Sequence, residues 1–164
     1  MLLENGAEVN AEGGRFGTAL QAASLRGTEA VVLLLLANGA KVNAKGGEYG
    51  NALQAASHGG NETIVKLLLK NGAEVNEKGG KFGNALQAAL FRGDKPVVKL
   101  PLENDGAEVN DGGEYWMNSE QHHTGYEEIL KLLPVLEKGE VKAKSGEYKM
   151  SEYSCKHSFL IVSY

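Results

Sequence analysis

The sequence predicts an all-α repeat solenoid, made of helix-turn-helix units joined by short hairpin-like turns. Three observations predict it. A Gly-Gly pair, followed by any residue and then an aromatic, recurs at Gly13, Gly46, Gly79 and Gly112, each 33 residues after the last; self-similarity at such a period marks stacked repeats. The chain has 22 glycines against 3 prolines with no collagen period, so turns recur at fixed places. Between the turns, apolar residues return at helical rather than alternating spacing.

Taken in order, MLLENGA at the start matches the end of a second helix, and residues 1–10 read as the truncated end of a preceding repeat. Residues 11–115 hold the good copies. In each, a polar residue caps a short first helix: Asn51 precedes Ala52, Leu53, Gln54, Ala55 and Ala56, and Gly59 with Gly60 stops it. Asn61 is expected to cap the second helix, as are Thr28 and Asp94 in their copies; Ile64, Val65, Leu67, Leu68 and Leu69 supply its apolar side, and Gly72 ends it. The pair Gly79 and Gly80 then reverses the chain before the next N-cap, Asn84. A single pair of such helices cannot bury its leucines, so neighbouring copies must share one core.

The pattern decays toward the C-terminus. Pro101 replaces the middle leucine of the third aliphatic run and Pro134 falls near the same place in the fourth; an interior helical proline costs about 3 kcal/mol. Residues 116–148 form a degenerate repeat, in which VKAKSGEY (141–148) is still in frame, and residues 149–164 are a non-repeat tail. Its FLIVSY end is uncharged and of high β-propensity, which suits an edge strand, a packed tail or an aggregation-prone end.

The segments TALQAASLRGT (18–28), NALQAASHGGN (51–61) and NALQAALFRGD (84–94), each followed by an aliphatic run such as VVLLLLANGAKVN, resemble the ankyrin repeat consensus TPLHxAAxxGH. The consensus proline is replaced by Ala19, Ala52 and Ala85, and its histidine by Gln21, Gln54 and Gln87. Glutamine retains a donor and an acceptor, so the cross-repeat hydrogen bonds that the resemblance implies remain available. The NALQAAS and GGxYG variants look like arrays common in filamentous fungi, often attached to larger signalling or nucleotide-binding proteins of the NACHT type. The resemblance implies an intracellular, non-catalytic protein-binding scaffold; the alternative is a structural fragment of a larger multidomain protein with no binding role of its own.

Charge and composition narrow the partner. A formal net charge of −4 and a pI near 5.6 offer no basic field for a phosphate backbone, so no nucleic acid is expected. The longest apolar run, Val31 to Ala37, is too short for a bilayer and the N-terminus lacks the pattern of a signal peptide, so an intracellular, cytoplasmic chain without a membrane partner is expected; no cofactor is expected either. Cys155 is the one cysteine and closes no internal disulfide. Candidate chemistry is thin. The neighbours His122 and His123 diverge by about 100° on a helix and lack chelating spacing; Cys155 beside His157 has no orienting third group; the glycine pairs match no phosphate-binding loop.

Comparing the copies separates framework from free positions. Leu20, Leu53 and Leu86 do not vary, and neither does the aromatic at Phe16, Tyr49, Phe82, Tyr115 and Tyr148, read as framework between adjacent turns. Arg15, Glu48 and Lys81 beside the turn vary, as do Leu25, His58 and Phe91 late in the first helix and Arg26 and Arg92 after them. By the resemblance, these face a protein partner. Self-association through the uncapped N-terminal end, where Met1, Leu2 and Leu3 lie, is a further expectation.

Overall fold

The computed structural model describes residues 5–103. They form six helices in three pairs: α1 (Ala19–Arg26) with α2 (Glu29–Ala37), α3 (Ala52–Gly59) with α4 (Glu62–Lys70), and α5 (Ala85–Arg92) with α6 (Lys95–Glu103). The first helices pack side by side, α1 on α3 and α3 on α5, and the second helices form a parallel row, α2 on α4 and α4 on α6. Between pairs the chain makes a finger, closed by antiparallel bridges Gly13 to Gly17, Gly46 to Gly50 and Gly79 to Gly83. The degenerate copy at 116–148, the tail at 149–164 and residues 1–4 lie outside the described residues.

The first helices start where the sequence places them. Asn51 sits in extended backbone, its side chain accepts from the Gln54 N–H at 2.9 Å, and the Gln54 Oε1 accepts from the Asn51 N–H at 3.0 Å. Thr18 with Gln21 repeats this capping box, and Asn84 accepts from the Gln87 N–H at 2.9 Å. Such caps are worth about 1 kcal/mol each. Each helix ends on a glycine in the left-handed region, Gly27, Gly60 and Gly93, where other residues are strained.

The second helices depart from expectation. Neither Thr28 nor Asn61 caps with its side chain; only Asp94 approaches a cap, accepting from the Val97 N–H at 3.4 Å. The tight reversal holds Asn61 at ψ 77°, outside extended cap geometry, and presents its amide to the preceding repeat. There its Nδ2 donates to the carbonyls of Ser24 at 2.8 Å and Leu25 at 3.0 Å, which end α1 with no partner of their own in the helix. Thr28 donates instead to the Ala23 carbonyl of its own repeat. Helix α6 runs through Pro101. The proline lies in the last turn and is itself buried; having no N–H, it gives up the helical bond to the Val97 carbonyl.

One core runs the length of the stack. Leu20, Leu53 and Leu86 are buried at matching positions, with Val32, Val65 and Val98 below them from the second helices; burial of each leucine contributes about 2 kcal/mol. Ala55, Ala56, Ala88 and Ala89 are fully buried, and their small side chains allow the first helices to approach closely. Asparagines pin the loops between repeats. Asn10 donates to the Gly39 carbonyl and accepts from the Lys41 N–H, and Asn43 does the same with Gly72 and Glu74.

Candidate protein-binding surface

Adjacent fingers are joined backbone to backbone: the Glu48 N–H donates to the Arg15 carbonyl at 2.8 Å and the Lys81 N–H to the Glu48 carbonyl at 2.9 Å. That register stacks residues 33 apart. Phe16, Tyr49 and Phe82 form a column, with ring centres 6.3 and 6.1 Å apart, and Arg15, Glu48 and Lys81 form a charged row beside it. The Glu48 carboxylate accepts from both Arg15 and Lys81. The Lys81 ammonium also lies 4.8 Å from the Tyr49 ring centre and 4.9 Å from that of Phe82, a cation-π arrangement. The hydrogen bond from Arg15, then that from Lys81, holds the Glu48 carboxyl well below the usual carboxylate range, at about 2. The row therefore keeps its alternating charges until strongly acid pH.

The late residues of the first helices close over this column. His58 stacks on Phe82 at 4.4 Å and tilts against Tyr49 at 5.4 Å, while Phe91 lies 4.8 Å from Phe82 and 5.8 Å from His58. Leu25 packs against the same cluster. Leu25, His58 and Phe91 are thus half-buried, each with one side on the aromatic framework and one side toward solvent. Arg26 and Arg92 are exposed and form no ion pair among the described residues. All eight variable residues fall on the fingers and the closing turns of the first helices. The pair Lys45 and Glu77, 2.5 Å apart, extends the charged contacts between fingers; its 32-residue offset is one short of the period, so comparing equivalent positions of the copies does not reveal it.

The His58 Nδ1 is buried without a hydrogen-bond partner among the described residues. Burial first, and then the positive charges of Lys81 and Arg92, push the imidazole down to about 4. Its folded value lies below the unfolded one, about 6.5, so the unfolded chain takes up the proton first. Stability is full above that unfolded value and declines as pH falls toward 4. The midpoint of thermal unfolding should fall between about pH 7 and pH 5, before most carboxylates titrate, and His58→Leu should flatten that part of the curve. An equal slope in the variant would place the titrating group elsewhere.

Among the described residues, no three His, Cys, Asp or Glu side chains are grouped as metal ligands and no helix is long and apolar enough to cross a membrane. His122, His123, Cys155 and His157 lie outside those residues. No curated protein matches the chain. The family model described as ankyrin repeats (3 copies) matches twice, over residues 1–79 and 20–113. Six helices in consecutive stacked pairs and glycine-turned fingers agree with that match, and the chain belongs to the ankyrin repeat family.

Proposed function

We propose that the chain is a non-catalytic protein-binding module that holds its partner on the finger row and the last turns of the first helices. Ankyrin repeats are generally protein-interaction modules, which supports the coarse reading. The observation that supports the finer one is that half-buried His58, Lys81 and Phe91 are held on the buried rings of Tyr49 and Phe82, flanked by Arg26 and Arg92. Rings and cations already held in place lose little freedom on binding, and arginine and aromatic residues are enriched among interface hot spots. The same proposal places the chain and its protein partner inside the cell.

The most informative substitutions are the exposed arginines, because Phe91 also supports the aromatic framework and its loss would mix binding with stability. R26A/R92A should leave the unfolding midpoint within about 0.5 kcal/mol of wild type. Affinity capture from the native cell, with the full chain as bait and quantified against this variant, should show partners depleted by roughly 30-fold, the equivalent of about 2 kcal/mol. Partners retained equally by both baits would remove these turns from the binding surface.

A further inference from the structure

Beyond its first residue, Glu29, the second helix of the first repeat, EAVVLLLLA, is apolar on every side, whereas its counterparts ETIVKLLLK and KPVVKLPLE are not. At about 100° per residue, Leu33, Ala37, Ala30, Leu34 and Val31 occupy one continuous arc of roughly 160°. The same arc of α4 carries Lys66, Lys70, Thr63, Leu67 and Ile64, and that of α6 carries Lys99, Glu103, Pro96, Leu100 and Val97. In α2 the arc is open to water: Leu33 is 47% and Val31 44% exposed, while Ile64 and Val97, at the Val31 position, are 1% and 0% exposed. A helix apolar all round is ordinarily enclosed.

We propose that this arc is a self-docking face, on which α2 of a second copy of the chain packs. The rim at Val31 continues the interface by which each repeat already receives its neighbour, since the stack buries Ile64 and Val97 at that position. Another repeat stacked on that side would cover Val31 but leave Leu33 and Ala37 in water, as Lys66 and Lys70 are left. Covering both halves takes a helix laid along α2 itself. An antiparallel crossing at Leu33 and Leu34 supplies one: Ala30 meets Ala37 of the second copy, the small residues permit close approach at both ends, and Glu29, the one charge of α2, stays at the rim outside the arc. A surface that matches itself in this way closes about a twofold axis. The finger row lies on the first-helix side, so the paired molecule still presents it.

Sedimentation equilibrium of the full chain tests the pairing. The weight-average mass should rise from 17.5 kDa toward twice that value as concentration goes from the micromolar to the millimolar range. L33K/A37K, which installs the lysines that α4 carries at the same two positions, should stay at the monomer mass with unchanged far-UV circular dichroism and midpoint. Should the double variant lose its helical signal, L33K alone replaces it, since both other repeats hold lysine there. Wild type that remains monomeric at the highest concentration overturns the proposal. So does a folded variant that associates as wild type does, because the contact would then lie outside α2.

Discussion

Replacing Gln54 with alanine is expected to destabilise the array by about 4 kcal/mol, far beyond what a polar-to-alanine change costs at a surface. Gln54 is 1% exposed. Its Oε1 accepts from the Asn51 N–H, and its Nε2 donates to the carbonyls of Glu77 at 2.8 Å and Gly83 at 3.0 Å in the next finger. Alanine takes the partner from the Asn51 N–H and the Glu77 carbonyl, while the Gly83 carbonyl keeps the Gly79 N–H; each buried orphan costs about 1 to 3 kcal/mol, and the tie from the helix to the next finger goes with them. Gln21 makes the equivalent clamp onto Ala44, Gly46 and Gly50, so the glutamine fastens each helix pair to the finger that follows it. Urea unfolding of Gln54→Ala followed by circular dichroism measures the loss. A shift below about 1 kcal/mol would mean that water replaces the amide and that the clamp contributes little.

The second large effect is expected at Gly80, where alanine should cost about 3 kcal/mol or more. Two penalties combine there. The residue lies at φ +59°, and an added Cβ would sit 2.5 Å from the Gly50 nitrogen and 2.6 Å from the Tyr49 oxygen, main-chain atoms that cannot swing aside as a side chain can. Relief would separate the fingers and break the bond from the Lys81 N–H to the Glu48 carbonyl, on which the charged row depends. Gly39→Ala separates the two penalties: its φ is +81° but an added Cβ meets nothing within 4 Å. It should cost only the positive-φ penalty, about 1 to 2 kcal/mol. Equal midpoints for Gly80→Ala and Gly39→Ala would show that the fingers separate without penalty.

What the sequence made legible is what depends on short spans of chain. The period exposes the stack, Asn51 and Asn84 announce their helices because a cap acts within three residues, and the paired glycines mark reversals that only positive φ permits. The eight variable residues emerge from comparing one copy with another, and the structure gathers them along the fingers and first-helix ends. The two misassigned caps have their partners in a preceding helix, Thr28 in that of its own repeat and Asn61 in that of the repeat before. Asn61 has the composition of an N-cap, but the nearest unsatisfied carbonyls belong to α1, and three-dimensional proximity decides between them. Leu25, His58 and Phe91 vary freely in sequence yet share a half-buried cluster, because side chains of different shape can close over the same rings. The run EAVVLLLLA shows its uniform apolarity at once; which arc stays open depends on how α2 meets α4.

On this reading, a rigid framework of repeats presents its variable residues to a protein partner. Hydrogen exchange on the full chain, alone and with a captured partner added, tests it most directly. Exchange should slow at residues 47–49 and 80–82 and in the last turns of α1, α3 and α5, with the rates of α4 unchanged. Slowing confined to α4 and α6, with the fingers unaffected, would contradict it.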